Sequence, residues 1–186
     1  ETSGAFALPA STHIGRVALR VESLDRVLPF YRDALGFAVE RSDGRAELLA
    51  GDPLLVLVED PDAPSRPQDA AGLFHVAVRV PSRGALGDLL DRAREHGATL
   101  TGASDHLVSE ALYLRDPEGN AVEVYRDRPR AEWPWADDGG VNMDTLPLDL
   151  ADLSAAATGE SALPAGADIG HVHLEVTDVD RSEAFY

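Results

Sequence analysis

The chain repeats its own opening near its end. Residues 14–31 read IGRVALRVESLDRVLPFY and residues 169–186 read IGHVHLEVTDVDRSEAFY, a constant offset of 155 with nine of eighteen positions identical and no gap. Two strands that merely share apolar alternation do not match at that density, so one structural unit is used at least twice. A weaker copy lies between them, where LFHVAVRV at 73–80 aligns on Ile14–Val21 at an offset of 59. The substitutions inside the repeat carry chemistry. Arg16 of the first copy becomes His75 in the second and His171 in the third, and Ala18 becomes His173.

Each copy opens with strict alternation, the signature of a strand with one apolar face. Val17, Leu19 and Val21 oppose Arg16, Ala18 and Arg20; Val76, Val78 and Val80 oppose His75, Ala77 and Arg79; Val172, Leu174 and Val176 oppose His171, His173 and Glu175. A helix is predicted next. In the first unit Ser23 stands at the capping position, Leu24, Val27, Leu28, Tyr31 and Leu35 form the stripe, and Gly36 ends it. Pro29 inside it must kink the helix or lie near its start. In the second unit Ser82 caps and Leu86, Leu89, Leu90 and Ala93 form the stripe, with Gly84 and Gly87 weakening the first turn. Three extended segments then close each unit: 38–41, 46–49 and 54–59 in the first, 99–102, 111–115 and 121–127 in the second. The last two are joined by the turn Asp116-Pro117-Glu118-Gly119-Asn120.

The fold class is therefore α+β: paired βαβββ modules, expected to form one cupped, eight-stranded mixed sheet with helices on its convex side. The predicted organisation is a disordered tail at 1–12, modules at 13–60 and 72–127 making one domain, a linker at 128–167, and the start of a second domain at 168–186.

An imidazole on the first strand, the Asp-Pro-Glu-Gly-Asn turn and a glutamate on the last strand together resemble the vicinal oxygen chelate superfamily, which includes glyoxalase I, bleomycin-resistance proteins and type I extradiol dioxygenases. Gly102-Ala103-Ser104-Asp105-His106, the run Ser109–Asn120, Asp127-Arg128-Pro129-Arg130 with Trp133, and Gly170-His171-Val172-His173 are similar to its two-domain, catechol 2,3-dioxygenase-like branch. That resemblance implies ring cleavage of a catechol-type aromatic diol with Fe(II), or Mn(II), and O2. It implies His171 as one arm of a two-His, one-carboxylate triad, with the other His and the Glu in a fourth unit, near positions ~230 and ~278 by the repeat offset. His173 would face substrate or support the ligands.

In the first domain His75, Glu123 and Tyr125 share the polar face, but Arg16 occupies the remaining ligand position. A guanidinium has no acceptor and cannot coordinate. An Arg16–Glu123 ion pair beside His75 is the favoured expectation, leaving the first domain a scaffold without a metal. Two alternatives to ring cleavage stand: a metal-free binder of a drug or small aromatic, or a glyoxalase I-like isomerase. Of the other histidines, His13 reads as surface, His96 as a helix-end residue, and His106 as a loop polar residue or one at the mouth of the cup.

Composition narrows the partners. The chain has 33 acids against 16 bases, all of them arginine, for a net charge of −17. That argues against nucleic acid and anionic membranes. Schiff-base lysine and cysteine chemistry are absent from these residues, since neither amino acid occurs. No signal peptide is read at 1–12, and a cytoplasmic homo-oligomer is expected. In the linker, Trp133 and Trp135 are expected to pack between domains, Asp149 or Asp152 to start a short helix, and 155–167 to be mobile. The stop at Tyr186 falls inside a predicted helix, so the gene product is expected to reach roughly 280 residues and the fragment alone to lack ring-cleavage activity.

Overall fold

A computed structural model describes residues 8–9, 11–64, 67 and 70–186; most of the predicted tail, 1–7 and 10, lies outside them. The first unit comprises β1 (Val17–Val21), α1 (Leu24–Pro29), β2 (Ala38–Ser42), β3 (Arg45–Ala50) and β4 (Asp52–Glu59). The second comprises β5 (Gly72–Arg79), α2 (Arg83–Glu95), β6 (Leu100–Asp105), β7 (Ser109–Arg115) and β8 (Ala121–Asp127). The α+β class and the βαβββ order hold. In both units the first and last strands pair in parallel, β1 with β4 and β5 with β8.

The strands do not form one eight-stranded sheet. Those described fall into a four-stranded sheet, β1-β4-β3-β2, and a six-stranded one. In the six-stranded sheet β10 (Asp168–Glu175) runs antiparallel along the outer edge of β5, and the two-residue β9 (Leu146–Pro147) borders β6. The outer edge of β5 is thus taken by unit three. The ladder is fastened at one end by Arg79, whose Nη2 lies 2.6 Å from Asp168 Oδ2 and whose Nε donates to Oδ1 at 3.0 Å. Ile169 is buried beside Val78 on the apolar side.

Unit one is joined to unit two differently, through the Asp116–Asn120 turn. Glu118 accepts hydrogen bonds from the backbone N–H groups of Glu22 (2.7 Å) and Ser23 (2.9 Å) and pairs with Arg26 at 2.8 Å. The buried Tyr31 hydroxyl donates to Asp116 Oδ2 at 3.0 Å. Ser23 occupies the N-cap position of α1, but its side chain makes no capping bond. Carboxylates from elsewhere do that work, Glu118 as above and Glu59 by accepting from the Leu24 N–H at 2.8 Å. Pro29, which lacks an N–H, ends the α-helical stretch, and the chain continues as a wider π-helical turn over Phe30–Ala34.

A single hydrophobic core spans both units, with Leu24, Val27, Tyr31, Leu55 and Leu57 from the first and Val76, Val78, Leu86, Leu90 and Val124 from the second. The opposite face of the second sheet carries a small separate cluster of Ala77, Ala111 and Tyr125 with Tyr113 against it.

The linker departs from expectation. Helix α3 (Leu150–Ala155), capped by Asp149, buries Leu153 against α2. This is why α2 tolerates Gly87: a Cβ there would meet the Leu153 carbonyl oxygen at 2.6 Å. Residues 155–167, expected to be mobile, are tied down by burial of Leu163 and Ala167, by Arg92 donating to the Glu160 carbonyl (2.6 Å), and by Asp88. Asp88 accepts from the Thr158 N–H, the Thr158 hydroxyl and the Gly159 N–H at 2.6–2.7 Å. The tryptophans stack on one another (centroids 5.8 Å apart) under Arg130, with Trp135 46% exposed. Their indole N–H groups bond to the Arg128 and Arg130 carbonyls, which holds both rings on their own local turn.

Burial by itself would raise the Asp88 carboxyl, but the bonds from Thr158 and Gly159 outweigh it and hold it below the ordinary 3.8. A depressed carboxyl stabilises the fold fully above about pH 4, and that contribution is lost as pH falls through the lower folded-state value. Asp88→Ala is expected to cost about 2 kcal/mol in urea unfolding at pH 7. The gap between variant and parent should shrink on acidification below that range.

Candidate metal centre

Three neighbouring strands, β10, β5 and β8, each place one side chain on the same polar face. In register, Ala77 stands opposite both His171 and Glu123, so His75, two residues earlier on β5, reaches the same spot between its neighbours. His75 Nε2 lies 2.8 Å from Glu123 Oε2, His171 Nε2 lies 3.2 Å from the same oxygen, and the two Nε2 atoms are 3.3 Å apart. His75 and Glu123 are buried, while the His171 side chain remains 43% exposed. Glu123 is strongly ionised: burial opposes its charge, yet the hydrogen bonds from His171 and His75 outweigh burial and hold it down to about 2.

These donors fit a metal ion. A carboxylate oxygen only accepts, so each imidazole that bonds Oε2 does so through an Nε2–H; the two hydrogens then crowd one oxygen and the 3.3 Å contact between the two nitrogens is not a hydrogen bond. A cation replacing both hydrogens removes that conflict. Ligands about 2.1 Å from one ion at right angles stand about 3.0 Å apart, and the observed triangle has edges of 2.8, 3.2 and 3.3 Å. Two imidazoles and one carboxylate on one side of an ion match the facial triad of non-haem Fe(II) sites. Among the described residues His75, Glu123 and His171 lie together as a candidate ligand set; the repeat offset gives His171 partners near positions ~230 and ~278.

Arg16 is a correction. It lies away from Glu123, with its guanidinium 3.4 Å from Glu47 and its side chain 55% exposed. Because unit one does not pair with β5, the position of Arg16 in the repeat no longer points at Glu123. His173 is exposed and stands beside the triad, its ring 4.8 Å from those of His75 and Phe74. Burial first, then the neighbouring His75 and His171, push its imidazole below the ordinary value. Tyr125 lies against His171, ring centroids 5.3 Å apart. Burial foremost, with Asp127 next, raises its phenol to about 12.

Tyr113 is a residue whose connection to the site the sequence reading missed, and His106, given there as a loop polar residue or one at the mouth of the cup, contacts it. Tyr113 lies opposite Glu123 in the β7–β8 ladder, which counting outward from the Asp116–Asn120 turn would have revealed. Its hydroxyl lies 2.9 Å from His106 Nε2 and 3.5 Å from Glu123 Oε1. The Asp144 carbonyl, 2.9 Å from His106 Nδ1, can only accept, so Nδ1 carries a hydrogen. The contact with Glu123 is the longer of the two. Burial, then the Glu123 charge, raises the Tyr113 phenol to about 12, so it stays protonated at neutral pH.

Residues 13–124 match the Glyoxalase/Bleomycin resistance protein/Dioxygenase superfamily. The chain belongs to that superfamily. It is 44% identical over 181 residues to a Catechol-2,3-dioxygenase of Bacillus subtilis (strain 168), covering 94% of this chain and 63% of that protein. It is 33% identical over 111 residues to Biphenyl-2,3-diol 1,2-dioxygenase 3 of Rhodococcus globerulus, covering 54% and 57% of the two. The chain thus spans less than two thirds of the length of these relatives. Among solved structures, a glyoxalase/dioxygenase from Nostoc punctiforme superposes with a TM-score of 0.55 at 16% identity, over 68% of this chain and 99% of that one. A glyoxylase/bleomycin resistance protein/dioxygenase domain from Frankia sp. EAN1pec gives 0.53 at 25% identity, over 64% and 94%. Among the described residues no helix is long and apolar enough to cross a membrane.

Gly170 matters to the site because the Tyr125 hydroxyl packs against it, where a Cβ would collide with the oxygen. Gly170→Ala is expected to push Tyr125 or β10 aside and displace His171, lowering affinity for a divalent metal by about 10- to 100-fold in a calorimetric titration. Separately, the Glu123 carboxyl should titrate near 2 in a carbon-detected NMR experiment on the metal-free protein. A midpoint at its ordinary 4.5 would mean that the two imidazoles do not engage it.

Proposed function

We propose that His75, His171 and Glu123 hold a ferrous ion and that the protein cleaves the ring of a catechol-type aromatic diol with O2, next to the paired hydroxyls. The observation that carries this reading is the convergence of two imidazoles and one carboxylate on one point, with all ligand atoms within 4.8 Å of one another. The 44% identity to a Catechol-2,3-dioxygenase supports the choice of reaction. When bound, the ion supplies Lewis acidity toward two vicinal oxygens and a redox path to O2.

The chain's own residues do the rest. Glu123 brings a full negative charge, which offsets part of the ion's charge and keeps the site selective for hard, borderline cations. His75 and Glu123 form the buried wall, and the half-exposed His171 leaves the approach open on its side. Phe74 and His173 stand at that approach and offer aromatic faces to a planar ring. Tyr113, held by His106, stays a neutral hydroxyl beside Glu123 and limits the ways that carboxylate can turn.

Anaerobic titration with Fe(II) should give one tight site per chain. His75→Ala, His171→Ala and Glu123→Gln should each weaken it by more than ~100-fold. The loaded whole protein should consume O2 with catechol or biphenyl-2,3-diol, whereas these 186 residues alone are expected to lack that activity. Absence of Fe(II)-dependent O2 uptake with either diol would overturn the ring-cleavage reading, and tight metal binding in all three variants would overturn the site.

A further inference from the structure

β10 carries His171 to the candidate metal centre, yet it holds β5 with little apolar burial of its own. Of its eight residues only Ile169 is buried. An edge strand with so small a buried face depends on how closely the preceding chain delivers it. That chain is the strap between α3, which ends at Ala155, and β10, which starts at Asp168.

The strap is fastened along its length. Asp88 on α2 accepts from the Thr158 and Gly159 N–H groups and from the Thr158 hydroxyl. One turn further along α2, the buried Arg92 divides its guanidinium between two carbonyls: Nη1 donates to Glu160 at 2.6 Å and Nη2 to Leu35 of unit one at 3.0 Å. The Leu163 N–H then donates to the Gly36 carbonyl at 2.8 Å, and the Leu163 side chain is buried. Gly36 suits that junction because its φ is +88° and a Cβ would meet Arg92 Nη2 at 2.9 Å. On the turn between β3 and β4 of unit one, a Cβ at Gly51 would meet that of Ala165 at 3.0 Å. Among the described residues no hydrogen bond or ion pair links Asp88 or Arg92 to His75, Glu123 or His171.

We propose that Asp88 and Arg92 are positioning residues for the candidate metal centre: by fastening the strap across α2 and the end of unit one, they hold β10 on β5 and so hold His171 over Glu123. With 158–163 fastened, only residues 164–167 separate the last anchor from β10; released, the whole of 156–167 does. The shorter tether raises the effective concentration of β10 at the β5 edge by about fivefold. Coupling of this kind is reciprocal, so an ion that ties His171 to His75 and Glu123 also tightens the strap. The consequence for metal binding rests on the ferrous reading of the site; the consequence for β10 does not.

Hydrogen exchange of the whole protein, followed by mass spectrometry with and without Mn(II), tests both consequences. Asp88→Ala opens the clasp from α2. Thr158→Ala/Gly159→Val opens it from the strap, where both positions are exposed and Gly159 has a φ of +87° that valine strains. In either variant the amides of 170–174 should exchange about fivefold faster than in the parent, while those of β7 and β8 keep their rates. Asp88→Asn, which keeps an acceptor, should restore part of the protection. Mn(II) should slow exchange across 157–163 in the parent, and its dissociation constant should rise in the variants by up to about fivefold. Unchanged exchange of 170–174 in the strap-side variant overturns the proposal, as does faster exchange spread evenly over β7 and β8, which marks a general loss of stability. Exchange of 157–163 that Mn(II) leaves untouched, in a parent that binds it, overturns it too. A parent that binds no Mn(II) overturns the ferrous reading instead, and the exchange of 170–174 without metal still decides the role of the strap.

Discussion

The antiparallel pairing of β10 with β5 is the constraint on which the candidate metal centre depends. Without it the polar face of unit two offers one imidazole and one carboxylate, both buried, an arrangement in which a charged glutamate has a single strong partner. Removing a carboxylate from water costs several kcal/mol unless its oxygens are well bonded. β10 brings His171 to the same oxygen that His75 meets. The ladder and the site are mutually supporting: Arg79–Asp168 and Ile169 set the register, Gly170 lets Tyr125 close over the strand, and the register puts His171 across from Ala77 rather than one residue away. A one-residue slip would turn His171 to the apolar side.

The sequence made the face legible but not the partner. Alternation correctly assigned His75, Glu123 and Tyr125 to one polar surface, and the repeat correctly singled out His171 as the equivalent of His75. Neither kind of reasoning says which edge strand meets which. Arg16 is set against Glu123 in the sequence reading because it occupies the first strand's ligand position in the repeat. What decides the matter is long-range: unit one satisfies its contacts with unit two through its helix end, where Glu118 and Asp116 reach α1 and Tyr31, and so the β5 edge stays free for β10. The Asp116–Asn120 turn is legible in the sequence as a turn and as part of the family resemblance, but nothing local reveals that its two carboxylates face outward to another unit. The linker was misjudged for a related reason. Small polar residues suggested mobility, but Gly87 and Asp88 on α2 are shaped to receive Leu153, Thr158 and Gly159.

The two contacts between units differ in kind. The β5–β10 ladder is made of backbone bonds and positions chemistry; the turn against α1 is made of carboxylates and positions whole units. The second suits an acidic chain. With 33 acids and 16 arginines, carboxylates are abundant and each guanidinium is scarce, so the few buried junctions concentrate arginine. Glu110 illustrates this, buried among Arg83, Arg126 and Arg128. Surface pairs in the same chain contribute little by comparison, being screened and costly in side-chain freedom.

The candidate metal centre also shows why a repeat is a useful way to build an asymmetric site. His75 and His171 occupy equivalent positions on equivalent first strands, and antiparallel pairing brings those positions together across a local pseudo-twofold. A symmetric pair of imidazoles would leave a cation with two like ligands and no charge compensation. Glu123 breaks the symmetry, because it comes from the last strand of unit two alone and sits under both rings. The buried wall is therefore on the unit-two side, where His75 and Glu123 are 5% and 4% exposed. The opening is on the unit-three side, beside His171, His173 and Phe74. A ligand approaching from there meets aromatic faces first and the charged group last.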